Sequence, residues 1–184
     1  MIPGTSFRDL IAAFTTMLLV TPCLGGDLDI SDAPQWVNKG TTYAQLQGDR
    51  LFHGVGSAPP MGDIALQRAV AKDRARRELA RIVSAYLHEL TGDYLAAAKA
   101  GNRALDAEVA SQRFTRLGKV IIPEAKMVAR WRDQRTGTIY TLVQLTMAKV
   151  KEIAASGREI DASARSYLDA HGDEAFDRVA RGAK

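Results

Sequence analysis

The run FHGVGSAPPMGD, from Phe52 to Asp63, decides how the rest of the chain is read. Its first part, together with Arg50 and Leu51, has the composition of a short strand spanning Arg50 to Gly56. Pro59, Pro60 and Gly62 then form a turn, and Asp63 is placed to accept the first free N–H groups of a helix. Beyond it Leu66, Val70, Leu79, Ile82, Val83, Tyr86, Leu87, Leu90 and Tyr94 recur at steps of three and four, the period of an amphipathic helix. Gly92 is a point where this helix could kink or end, and Ala100-Gly101-Asn102 is a firmer stop.

A glycine-rich strand end feeding a helix is also how phosphate-binding loops are built. A dinucleotide fingerprint needs three glycines at fixed offsets, so that backbone and pyrophosphate can meet at the helix N-terminus. Here Gly54 and Gly56 are present, but Pro59 takes the third position. No Lys-Ser or Lys-Thr pair follows, which removes the P-loop as well. The two glycines are read as structural, letting the chain pass close to a neighbouring element.

Downstream, a second short helix is expected from Arg103 to Phe114. The segment KVIIPEAKMVARWRD (Lys119 to Asp133) has strand alternation, with Ala125, Met127, Ala129 and Trp131 on one face and Lys126, Arg130 and Arg132 on the other. Pro123 would confine this strand to an edge or require a bulge. Asp133 to Gly137 is a glycine-containing hairpin loop, and TIYTLVQLTM (Thr138 to Met147) returns as a β-branched and aromatic strand. From Met147 the helical period resumes through Val150, Ala154, Ile160, Ala164, Leu168, Ala175 and Val179. This helix is one piece about 50 Å long, or two pieces divided at Gly157 or Gly172.

The fold expected is α+β: a small antiparallel sheet packed against a long helix, with a long C-terminal helix. The divisions are residues 1–25 as a signal peptide, 26–48 as a polar lead-in, 49–150 as the α+β domain and 151–184 as a C-terminal helical extension. Within the lead-in, Trp36 and Val37 are expected to plug the edge of the core.

The signal peptide is read from LIAAFTTMLLV (Leu10 to Val20), an uncharged apolar run too short to cross a bilayer as a permanent helix, followed by TPCLGGD. Two processing routes fit. Cys23 and Gly25 put small residues at the positions an ordinary signal peptidase requires. Val20-Thr21-Pro22-Cys23 also resembles a lipobox, with Pro22 where that motif has Gly, Ala or Ser. In that route Cys23 is the lipidation site, and Leu24 after it directs the protein to the outer membrane. Export follows from either route; lipidation of Cys23 is the expectation adopted.

The whole chain has 184 residues, 46% hydrophobic and 25% charged, a formal charge of +4 and a pI near 9.3. These are ordinary globular values with a weak preference for anionic neighbours. Cys23 is the only cysteine, so no disulfide forms within the chain. His53, His88 and His171 lack ligand spacing: HELTGD (His88 to Asp93) opens like a zincin helix, but Gly92 stands where the second histidine belongs. Ser57 has no recognisable base beside it. No catalytic residue, metal site or cofactor is therefore assigned. Carboxylates are expected to pair with arginines, as Asp73 and Arg77 could at a spacing of four.

One charged cluster stands out on the long helix. Arg68, Lys72 and Arg76 form one stripe; Arg74, Arg77 and Arg81 form another. Such a run is ordinarily a solvated helix face. The sharper alternative is an anion-facing surface laid against lipid phosphates. Nucleic acid is a poor fit, because no aromatic residue interleaves with these cations for stacking.

In order along the chain, PQWVNKG (Pro34 to Gly40), GVGSAP (Gly54 to Pro59), the A-x3-A-x3-D-x-AR-x-ELARIV pattern ending at Val83, and TGTIYTLVQL (Thr136 to Leu145) resemble the LPP-twenty family of small bacterial outer-membrane lipoproteins, whose relatives include flagellar outer-membrane lipoproteins. The resemblance covers roughly residues 33–155. It implies a location in the cell envelope, at the periplasmic side of the outer membrane, and a non-enzymatic structural or assembly role. It implies partners of two kinds: outer-membrane lipid through an acylated Cys23, and other proteins or further copies of the chain. The competing expectation is a soluble periplasmic module that binds a small anionic ligand between helix and sheet.

Overall fold

A computed structural model describes residues 28–40 and 50–182; Cys23 and the signal segment lie outside the described residues. The opening motif forms strand β1 (Leu51–Ala58), a turn, and helix α2 (Ile64–Ala100), a single helix of 37 residues. A short helix α1 (Gln35–Asn38) precedes them. Gly62 takes a positive φ of 76° in the turn. The carboxylate of Asp63 then accepts from the backbone N–H groups of Ala65 at 2.7 Å and Leu66 at 3.3 Å, as its sequence position suggested.

The two strand glycines explain how α2 seats. A Cβ built on Gly54 would stand 2.7 Å from the backbone nitrogen of Leu79, and one on Gly56 would stand 2.5 Å from the carbonyl oxygen of Ala71. Helix backbone thus rests directly on strand backbone, with the small residues Ala71 and Ala75 facing the glycines. This close seating corrects the expected core face. In the first turns Gln67, Ala71 and Ala75 are buried, whereas Leu66 is exposed and Val70 only half-buried. Leu79, Val83, Tyr86, Leu87 and Leu90 then continue the buried face. Gly92 neither ends nor interrupts the helix, which stops at Gly101, followed by Asn102 with φ 54°.

The sheet is antiparallel with order β1-β3-β2, where β2 is Lys126–Arg132 and β3 is Ile139–Thr146. Three expectations for this region change. The second helix, α3, runs Ala107–Ile121 and is capped by Asp106, starting later and ending later than Arg103 to Phe114. Lys119 to Ile121 are therefore helical, and Pro123 lies in a short 3-10 turn, Ile122–Glu124, rather than in a strand. The strand is at the sheet edge and does contain a bulge, but at Val128: Met127 pairs with Val143 and Ala129 with Leu142. The extra residue reverses the alternation, so Met127 shares a face with Val143 while Ala129 and Trp131 share the other with Leu142 and Tyr140. Asp133 closes the hairpin loop, accepting from the backbone N–H of Arg135 and the hydroxyl of Thr136.

Helix α4 (Met147–Ser156) and helix α5 (Ala162–Gly182) divide at Gly157; Gly172 stays helical, against the hydroxyl of Tyr86. Both join the main core. Val150, Ala154, Ile160, Ala164, Leu168 and Ala175 pack with Phe52, Leu79, Tyr86 and Phe114 in one buried cluster. Residue 150 thus falls inside α4, and α5 packs on the same core as α2. Phe52 meets Tyr86 and Phe176 edge-on, with centroids 5.1 and 4.8 Å apart. On the opposite sheet face Trp36 and Val37 pack on Leu142. The fold is α+β.

Candidate functional site

The six cations read from the sequence all lie on the first half of α2, and the strand beneath fixes where each side of the helix points. Arg74 donates to the backbone carbonyl of Ser57 at 2.7 Å. The register pairs Ala58 with Ile139 and Gly56 with Thr141, and Met147 N–H bonds the Arg50 carbonyl, so the odd-numbered residues of β1 turn their carbonyls away from β3. Arg74 therefore closes the free edge of β1. Arg81 pairs with Glu78 at 2.7 Å, a contact that raises its pKa further. Asp73 and Arg77 do not pair; Glu78–Arg81 is the ion pair on this stretch instead.

Arg68, Lys72 and Arg76 occupy the other flank of α2, about 120° to 160° around the helix from Arg74 by its 100° step, above the β3 and β2 side of the sheet. Arg130 pairs with Thr141 and Arg132 with Ile139, and both partners are on the α2-facing side. The flank of α2 and the α2-facing side of β2 thus bring Arg68, Lys72, Arg76, Arg130 and Arg132 to one side of the molecule. None of these five forms an ion pair among the described residues. The sequence pattern grouped the helix cations and listed Arg130 and Arg132 separately on a strand face. The Gly54–Gly56 pair was legible as a close approach, but the sequence did not show that it seats α2 over β1 and leaves β2 uncovered beside it.

The hairpin and the start of α2 meet at one end. Gln67 Nε2 donates to the carbonyls of Ala58 and Gly137, each at 2.9 Å, and Gly137 lies against the ring of Pro60. Two carboxylates at this end have backbone or hydroxyl donors. Asp63 serves the α2 N-terminus, and Asp133 is held below the usual carboxylate range by the Thr136 hydroxyl and the Arg135 N–H. Beside the hairpin a hollow of about 420 Å³ is bordered by Arg130, Trp131, Arg132 and Arg135, with Ser31 and Asp32 opposite.

The histidines occupy separate places. His53 is buried on β1 beside the side-chain amide of Gln144; that amide nitrogen donates, so the His53 Nε2 accepts. Burial pushes its pKa down to about 4. His171 lies against the ring of Tyr167 on α5, and His88 is exposed on α2. No cluster of metal-ligating side chains occurs among the described residues. No described helix is long and apolar enough to cross a membrane. No family model and no curated protein matches the chain.

Proposed function

We propose that this chain is an exported bacterial cell-envelope protein, an outer-membrane lipoprotein held through Cys23, with a non-catalytic structural or assembly role. The observation that carries the reading is the use made of the motif that resembles the LPP-twenty family. Gly54 and Gly56 do not frame a ligand; they seat α2 on β1, and Ala71 and Ala75 complete the contact. The motif builds a rigid two-layer support whose outer surface carries the cations. The apolar run Leu10 to Val20 and the cysteine that follows supply the means of attachment. Lipidation of Cys23 would give the N-terminus several acyl chains, each buried CH₂ contributing about 0.8 kcal/mol, which holds a protein on a bilayer essentially permanently.

Intact-mass measurement of the mature protein tests this directly. A chain beginning at Cys23 and carrying the added mass of the acyl chains is the expected result. An unmodified chain beginning at Gly26 overturns the anchor, as does a Cys23→Ala variant that still fractionates with outer membranes.

A second reading is favoured by the hollow beside the hairpin, which Arg130, Arg132 and Arg135 border together with Trp131. On that reading the protein is a soluble periplasmic module for a small anion. Titration calorimetry with inorganic phosphate separates the two: saturable binding abolished by Arg132→Ala supports the module, and no heat of binding removes it.

A further inference from the structure

The sequence places Leu66 on the core face of α2, yet it is 49% exposed, and Met61 and Ile64 are each 43% exposed. Pro59 and Pro60 are exposed as well. These five residues occupy the turn and first helical turn, so the end of the molecule where α2 begins is an apolar tip. Cations stand immediately behind it. Arg68 is two residues beyond Leu66 and Lys72 six, which at about 1.5 Å per residue puts their Cα atoms roughly 3 and 9 Å back along the axis. Arg132 and Arg135 flank the same end, because Gln67 and Pro60 bind the hairpin to it. None of these four cations has an ion pair among the described residues. Of the nearby carboxylates, Asp63 and Asp133 are engaged by backbone and hydroxyl donors, Asp32 is exposed across the hollow from Arg132 and Arg135, and Asp73 is exposed on the helix one residue beyond Lys72.

We propose that this tip inserts into the interfacial layer of an anionic bilayer, with Met61, Ile64 and Leu66 among the upper acyl carbons and Arg68, Lys72, Arg132 and Arg135 at the lipid phosphates. An apolar wedge with a basic collar one turn behind it matches the depth profile of a bilayer interface. Apolar side chains settle about 5–10 Å below the headgroup boundary, and long cationic side chains reach back to the phosphates. Charge complementarity selects the anionic surface, and the exposed apolar side chains require a surface that also offers hydrocarbon. The tip rests on the envelope reading only in needing a bilayer within reach. It gives the domain a second membrane contact, independent of Cys23.

The test uses the full chain with Cys23→Ser, so that Met61→Cys can carry the only thiol-linked environment-sensitive fluorophore. The probe reports the tip itself, whatever the N-terminal segment does. Vesicles of phosphatidylglycerol are expected to shift its emission to the blue and expose it to shallow lipid-borne quenchers. Vesicles of phosphatidylcholine should shift it little, and a probe on Ser156 should stay aqueous in both. Arg68→Ala and Lys72→Ala should each weaken the inserted state about five-fold, the worth of one basic residue near an anionic leaflet. Leu66→Asp should abolish the shift while the circular dichroism is unchanged. A probe on residue 61 that stays aqueous on chains bound to phosphatidylglycerol overturns the proposal. So does a blue shift that appears without vesicles and grows with protein concentration, which would make the tip an interface between copies. Failure of the Cys23 anchor would show in the intact mass and leave this signal untouched.

Discussion

Replacing Gly56 by alanine is the sharpest test of how the sheet and α2 are joined. The added Cβ would stand 2.5 Å from the Ala71 carbonyl oxygen and 2.7 Å from the Arg74 carbonyl carbon, against ordinary contact beginning at 3.4 Å. Those neighbours are helix backbone, so no side chain can rotate away. Helix and strand must part by about 1 Å along this contact, and the separation loosens Ala71, Ala75 and Ile139 together. Inserting one methyl group into a packed core typically costs about 1–3 kcal/mol, and a site with backbone on both sides belongs at or above the upper end. A loss of about 3 kcal/mol is a large part of the 5–15 kcal/mol that holds an ordinary domain together. It should lower Tm by on the order of 10 °C. Urea unfolding followed by far-ultraviolet circular dichroism measures it, with an unchanged slope showing that the unfolding reaction is the same. A Gly56→Ala protein within about 0.5 kcal/mol of the parent would refute direct backbone seating. The glycine would then have to be explained by a ligand or a turn.

Gly92→Ala should do the opposite: a Cβ there meets nothing within 4 Å, so the helix gains about 0.5–1 kcal/mol, read as a higher urea midpoint. The hydroxyl of Thr141 is buried without a hydrogen-bond partner among the described residues, so Thr141→Val should stabilise by about 1 kcal/mol in the same assay. His53 titrates at about 4 when folded and near 6.5 when unfolded, so the unfolded chain binds more protons between those values and stability rises with pH across that window. The His53 contribution is complete above about pH 6.5 and lost below about pH 4. It amounts to up to about 3 kcal/mol, and His53→Gln should remove this limb from a plot of urea midpoint against pH.

The parts of the fold that could be read from sequence are those with local causes. Asp63 after two prolines and a glycine marks a helix start whatever surrounds it, and Asp133 to Gly137 closes a hairpin by its own hydrogen bonds. The parts that could not be read depend on contacts between elements. Leu66 fits a helical period, but the glycines of β1 draw Ala71 and Ala75 inward and rotate the leucine out. The bulge at Val128 moves Met127 to the other face without any change in the alternation of residue types. The candidate site divides in the same way. The α2 cations are visible as a run, while Arg132 and Arg135 join them only through the Gln67 bridge to Gly137.

The ion pairs among the described residues sit away from that end. Arg50 binds Asp173 and Asp177, Lys151 binds Asp173, Arg178 binds Glu89 and Asp93, and Arg113 binds Asp161. Most of these tie α5 to β1, α4 or the second half of α2; they are exposed, so each contributes at most about 1 kcal/mol and chiefly fixes where α5 lies. The carboxylates of these pairs are thereby committed away from the tip, and Arg68, Lys72, Arg132 and Arg135 are left without an ion pair among the described residues. Salt then limits which of them matter, because charges are screened over about 8 Å at physiological ionic strength. Measured from Leu66, Arg68 and Lys72 lie within roughly that range, whereas Arg76, Arg77 and Arg81 begin roughly 15 Å back. On the proposed orientation the two readings of the basic run therefore apply to different residues. Arg68 and Lys72 face lipid phosphate, Arg74 closes the edge of β1, Arg81 pairs with Glu78, and Arg76 and Arg77 remain in water. Arg77→Ala should accordingly leave the tip probe unchanged where Arg68→Ala moves it. Equal effects from the two would mean that overall charge, and not the placement of cations behind an apolar tip, governs the contact.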